Sequence, residues 1–185
     1  VISGVNDFMS GSGGQVSGRR AKLLALADRA ADLRETRSRR ELQRAAASSP
    51  QRSVLVLTIA SDQGPSLLAE QRAELGRSHH SVELRVAAAA GAGKFENLNS
   101  LIEAADKPEY DWIVVLDDDV DLPSDFLDPF LFAAEAAGLQ IAQPAHRLHS
   151  HAAWPITRRR RGVRSRRTTF VEIGPVTAFA PAAAA

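Results

Sequence analysis

Asp117, Asp118, Asp119 and Asp121 crowd together directly after the apolar run WIVVL, Trp112 to Leu116. Neighbouring carboxylates repel one another by a Coulomb term that grows as water is removed. A chain that gathers them at the end of a buried strand is therefore expected to hold a cation there. If the extended backbone persists, Asp117 and Asp119 point one way and Asp118 the other. This predicts that Asp117 and Asp119 share one hard cation, Mg²⁺ or Mn²⁺, with room beside it for phosphate oxygens. Asp121 and Asp125, with Ser124, suit a different task, capping the N-terminus of the next helix. A helix-loop-helix calcium site is excluded, because its sixth position needs Gly and counting from Asp117 gives Leu122.

A second concentration of chemistry lies further on. Arg158 to Arg161, Arg164, Arg166 and Arg167 place seven arginines in ten positions, with His146, His149, His151 and Trp154 just upstream. Guanidinium groups fork onto phosphate oxygens, so Arg158 and Arg167 are expected on the phosphates of a nucleotide ligand or on an anionic acceptor. A solvated loop is the plainer alternative. Nucleic acid is the weakest, since the chain as a whole carries a net charge of only +1. With no cysteine present and aspartates already to hand, a separate zinc site is not expected. His149 or His151 fits a further contact to the cation or phosphate, and Trp154 a packing role.

The elements that must position these groups follow from periodicity. The 185 residues, 44% hydrophobic and 24% charged, make one globular domain with an appendage. The sequence divides into 1–18, Gly/Ser-rich and flexible; 19–50, a basic helix with Leu23, Leu26, Ala30 and Leu33 in one stripe; and an α/β domain over 51–185. Strands are predicted at 54–60, 82–87, 112–116 and 139–144. Helices are predicted between them at 66–76, 95–105 and 123–137. Such alternation describes a mostly parallel sheet flanked by helices. No run of 18 apolar residues occurs, so no transmembrane helix is expected. The start at Val1 shows no charged-then-apolar leader, so no signal peptide is expected.

The run GKFENLNSLIEAA from Gly93, followed by an apolar strand ending in Asp-x-Asp, resembles the nucleotide-sugar-binding half of family 2 glycosyltransferases with the GT-A fold. The similarity covers roughly Val54 to Ala180 and is closest to a poorly characterised plant and bacterial group related to that family. It implies a Rossmann-like nucleotide-diphospho-sugar transferase domain with an N-terminal helical extension. In that family Lys94 matches the basic residue that holds the nucleotide, and Asn99 the Asn that opens the following helix. Asp117 and Asp119 match the metal-binding motif, with Asp118 beside the donor. Asp62, in the loop after the first strand, matches the place of the base and ribose. A haloacid dehalogenase phosphatase fits poorly, since it has Thr or Val where Asp121 stands. A nucleotidyltransferase wants a Gly-rich loop where this chain has SDQGPS.

The implied activity is metal-dependent transfer of a sugar, with inversion, from a UDP- or GDP-sugar to a hydroxyl acceptor on a glycan or lipid-linked molecule. The acceptor hydroxyl needs a carboxylate base. The family's base motif would fall beyond Ala185, so the domain is expected to be C-terminally incomplete, with Glu172 the one stand-in for the base. A non-catalytic module binding nucleotide sugar or a polyanion is the rival from another class. A cytoplasmic location is expected, with peripheral membrane contact or self-association through the N-terminal helix.

Overall fold

The computed structural model describes residues 18–60, 66–88, 93–105, 109–149, 154–168, 170, 173 and 175–181. The chain opens with two helices, α1 (Gly18–Arg34) and α2 (Thr36–Ala47), where the sequence predicts one. The break falls at Glu35. Its N–H is shared between the carbonyls of Ala31 and Asp32, and the Thr36 hydroxyl donates to Leu33 O at 2.8 Å. A hydroxyl that competes for a helix carbonyl in this way loosens the ladder.

Strand β1 (Ser53–Ala60) leads through α3 (Leu68–Leu75) to β2 (Ser81–Ala88), then through α4 (Lys94–Glu103) to β3 (Trp112–Leu116). Helix α5 (Leu127–Ala136) follows, then the short β4 (Ile141–Ala142), a 3₁₀ turn at Pro155–Thr157 and β5 (Val176–Phe179). The five strands form one sheet in the order β2-β1-β3-β5-β4. β1 is parallel to both β2 and β3, whereas β5 is antiparallel to β3 and to β4. The predicted α/β sheet flanked by helices is present, but it is mixed rather than mostly parallel: β5 runs in reverse, which makes two of the four pairings antiparallel, and the whole is compatible with a Rossmann-like fold.

The sheet is buried on both faces. Val54, Val56, Val114, Leu116 and Ala178 look toward α3 and α5, packing with Leu75, Leu127 and Leu131. On the other face Leu55, Leu57 and Val115 pack with Leu98 of α4 and with Tyr110. Helices α3 and α4 therefore lie on opposite faces. This is the outcome of two right-handed crossovers, one leaving β1 for β2 and one returning from β2 past β1 to β3. The helices that follow β1 and β2 thus lie on opposite sides of the sheet, the arrangement in which doubly wound sheets open a ligand crevice at their carboxyl edge.

Three local expectations are corrected. Helix α5 starts at Leu127 rather than Pro123, because Asp125 adopts a left-handed φ of 54° that no helix continues through. Asp121, Ser124 and Asp125 do not cap it. Its N-cap is Phe126, whose N–H donates instead to Glu74 Oε1 of α3 at 3.1 Å. β4 keeps only two of its six predicted residues, since β5 meets it over two rungs. The close of α5 is as expected: Gly138 takes the left-handed φ of 61° that ends helices readily at glycine.

The two N-terminal helices do not form a detached appendage. α2 packs on α5 and buries Ala46 completely. Leu23, Leu26 and Leu33 face solvent, at 68%, 57% and 77% exposure, so the leucine stripe is not the docking face. Docking uses acids: Asp28 is buried and Asp32 half-buried against the arginine-rich segment. No helix of the described residues is long and apolar enough to cross a membrane.

Candidate functional site

The carboxylate turn is held by its backbone. Asp117 N–H donates to Pro175 O at 2.9 Å, and Asp118 O accepts the Leu67 N–H at 2.7 Å. The side-chain amide of Gln71, on α3, donates to Asp117 O at 2.9 Å and to Val120 O at 2.8 Å. Gln71 is 1% exposed, so these bonds are shielded from competing water and fix the turn firmly. Three carbonyls of the turn, those of Asp117, Asp118 and Val120, are thus hydrogen-bonded.

Lys94 meets this turn. Gly93 is the N-cap of α4, and its N–H donates to Glu96 Oε2 at 2.9 Å, the backward half of a capping box. That start places Lys94 in the first turn, where a cation opposes the positive end of the helix dipole. An anion nearby compensates it: Lys94 Nζ lies 2.5 Å from Asp117 Oδ1, both side chains about one third exposed. The pair spans the carboxyl edge of the sheet, from the start of the helix after β2 to the end of β3.

The remaining expected site residues fall as follows. Asp118 is buried and Asp119 exposed, but the extended backbone stops at Leu116 and both residues sit in a turn, so strand alternation does not set the directions of Asp117 and Asp119 as expected. Asn99 does not open α4. It is exposed about one and a half turns into the helix, and the opening residue is Lys94. Asp62 and Glu172 lie outside the described residues, as does His151. The guanidinium of Arg158 donates to Leu148 O, and Arg167 Nε donates to Ala137 O at 3.1 Å, covering the last turn of α5. Both arginines serve local carbonyls, and no described contact joins either to Asp117. His149 is used structurally, with its N–H and Nδ1 each 3.1 Å from the Asp28 carboxylate. Trp154 packs edge-on against Phe170 at 5.2 Å.

Sequence reasoning passed over another cluster. His79, His80 and Asp128 bring ligand-type atoms together, the one such group of three among the described residues. Its hydrogen bonds argue for structure rather than a metal. Asp128 accepts from the Ser78 hydroxyl and from His79 N–H, and its Oδ2 lies 2.8 Å from His79 Nδ1. His80 Nδ1 accepts the Arg52 N–H at 3.1 Å. A backbone N–H can only donate, so the neutral ring carries its proton on Nε2 and offers no lone pair there. The only advance signal was the adjacent histidine pair just before β2, with no hint that Asp128 would join it.

A cavity of about 390 Å³ lies between α2, α5, β4 and the arginine segment. None of Lys94, Asp117, Asp118 or Asp119 lines it. Loop residues 61–65 and 89–92, which follow β1 and β2 at the carboxylate edge, lie outside the described residues. Compared with known proteins, the chain matches no family model, no curated protein and no solved structure.

Proposed function

We propose that the chain binds a nucleoside-diphosphate sugar at the carboxyl edge of β1, β2 and β3 with Mg²⁺ or Mn²⁺, and transfers the sugar to a hydroxyl acceptor as a GT-A-like enzyme. The observation that carries this reading is the Lys94–Asp117 pair beside Asp119, on a turn pinned by Gln71. The donor set fits the ion: carboxylate oxygens suit a hard divalent cation. Asp117 shows an affinity for positive charge by holding an ammonium at 2.5 Å. Asp117 and Asp119 would hold the cation, which when bound supplies Lewis-acid stabilisation to the departing diphosphate.

Lys94 then has a second role. Once its carboxylate partner is shared, the ammonium is free to turn toward phosphate oxygens, at the N-terminus of α4 where backbone N–H groups also favour an anion. In the transfer, the bond between the anomeric carbon and the diphosphate oxygen breaks and one to the acceptor oxygen forms. The nucleoside diphosphate departs with the bonding pair, and the acceptor proton passes to a carboxylate, for which Glu172 is the candidate in the sequence.

The test is isothermal titration with UDP and GDP, with and without Mn²⁺. One of them is expected to bind only with Mn²⁺, and Asp117→Asn and Asp119→Ala are each expected to weaken it at least tenfold. Binding that ignores both the metal and these substitutions would remove the proposal. Release of free sugar or its transfer to an added acceptor then separates an enzyme from a binding module.

A further inference from the structure

We infer that the 390 Å³ cavity between α2, α5, β4 and the arginine segment is a second binding site, for an amphipathic anion with a phosphate or carboxylate head on an alkyl body. Its volume falls within the roughly 300–1,000 Å³ of small-molecule sites. Leu42, Phe126, Phe130, Leu139, Ile141 and Phe170 supply an apolar lining. Phe126 and Phe130 stack at 5.2 Å within it. Ile141 remains 38% exposed and Val163, also lining, 47%. Apolar surface left open to water in a concave site is surface that a ligand's hydrocarbon would cover.

The charge of the lining is one-sided. Arg39, Arg158, Arg159, Arg160, Arg164 and Arg166 line the cavity against a single acid, Asp125. Four of these arginines are committed elsewhere. Arg159 reaches Asp32 at 2.5 Å and Asp28 at 3.8 Å, and Arg164 reaches Glu41 at 2.6 Å. The guanidiniums of Arg158 and Arg166 bond to backbone carbonyls. Arg39 and Arg160 are exposed, and their guanidiniums make no hydrogen bond or ion pair among the described residues. Two uncommitted guanidiniums beside an apolar cavity are complementary to a ligand that is both anionic and greasy. A neutral hydrocarbon would leave the guanidiniums unused, and inorganic phosphate would leave the apolar wall wet. Asp125, in its left-handed conformation, is part of the same wall, a place where strain is commonly kept for binding. The site does not depend on the transferase reading, since Lys94, Asp117 and Asp119 do not line it.

Calorimetric titration of decyl phosphate below its micelle concentration tests the site, with inorganic phosphate and decyl glucoside as controls. Decyl phosphate is expected to bind at least tenfold tighter than either control. The double substitution Arg39→Ala with Arg160→Ala is expected to cost at least tenfold, and Ala133→Leu, which narrows the cavity, to reduce binding independently of charge. Circular dichroism checks that both variants fold. Equal binding of decyl glucoside, or indifference to the arginine pair, overturns the site. Sedimentation with phosphatidate vesicles identifies the source of the anion. Vesicle capture that decyl phosphate displaces supports a lipid, and decyl phosphate binding without capture supports a free amphiphile. Capture without decyl phosphate binding overturns the cavity in favour of surface attraction.

Discussion

At the scale of single residues, the His79–His80–Asp128 knot makes stability depend on pH in two stages. Burial pushes the His80 imidazole below its usual pKa, helped by the neighbouring His79 and opposed by Asp128 and Glu135. The unfolded chain thus takes up this proton more readily than the folded one. His80 contributes stability that is complete above about pH 6.5 and is lost as pH falls through its lowered folded value. Burial pushes the Asp128 and Glu135 carboxyls up, but hydrogen bonds outweigh it and hold both below the usual range. Ser78 and His79 supply those bonds to Asp128, and Arg52 and Trp112 supply them to Glu135. Their contribution is complete above about pH 4 and disappears on further acidification. Melting midpoints measured from pH 8 to pH 3 should therefore fall first below pH 6.5 and again below pH 4. His80→Gln should abolish the first fall and keep the second. A flat profile between pH 7.5 and 5 in the native chain would contradict the role given to His80.

At the scale of elements, Glu135 clamps α5 to the amino end of the sheet. Its carboxylate takes Arg52 Nε at 2.8 Å and Nη2 at 3.1 Å, and also the indole N–H of Trp112 at 3.1 Å. Trp112 is 3% exposed, so Glu135→Ala leaves a buried donor without its acceptor, at a cost of about 1–3 kcal/mol. Urea unfolding should show that loss, while Arg37→Ala, an exposed pair on α2, should change little. These elements differ in how plainly the sequence announces them. β1 and β3 are apolar, β-branched runs and β2 alternates apolar residues with Glu83 and Arg85, and for all three prediction and structure agree within one residue at each end. β5 was not among the four strands predicted, and its reversal was not legible either, since an apolar run has no direction until a partner sets it. Asp117 was legible as a site residue because it lies just past a strand end, whereas Lys94 was joined to it only through the resemblance carried by GKFENLN. Gln71 was not, since its function is to meet two carbonyls of a turn 46 and 49 residues away.

At the scale of the molecule, the arginine segment is fastened to the N-terminal helices by a series of ion pairs. Asp28, Asp32, Glu35 and Glu41 face Arg147, Arg159, Arg164 and His149. Hydrogen bonds from Arg164 and Arg37 hold the Glu41 carboxyl below its ordinary pKa, yet that pair is exposed and weak. The grip is at Asp28, whose side chain is 4% exposed. Removing a buried partner exposes the segment to local opening, and each 1.4 kcal/mol lost raises the open population about tenfold. Trypsin should therefore cut between Arg158 and Arg167 about tenfold faster in Asp28→Asn with Asp32→Asn, read by mass spectrometry of the fragments. Unchanged cutting would show that the arginine segment is held by something other than these acids.

The reversed strand has a consequence for how the chain comes together. β1, β2 and β3 can assemble as soon as Leu116 has been made, but the free side of β3 is covered only by residues 176–179. In the meantime its row of open peptide groups offers a template to any other nascent chain. β4 waits as well, because it joins the sheet only through β5. Newly made protein is thus most prone to clump in the interval between the third strand and the fifth. Crowding during synthesis or refolding should therefore lower the yield more than the stability of the finished molecule would suggest.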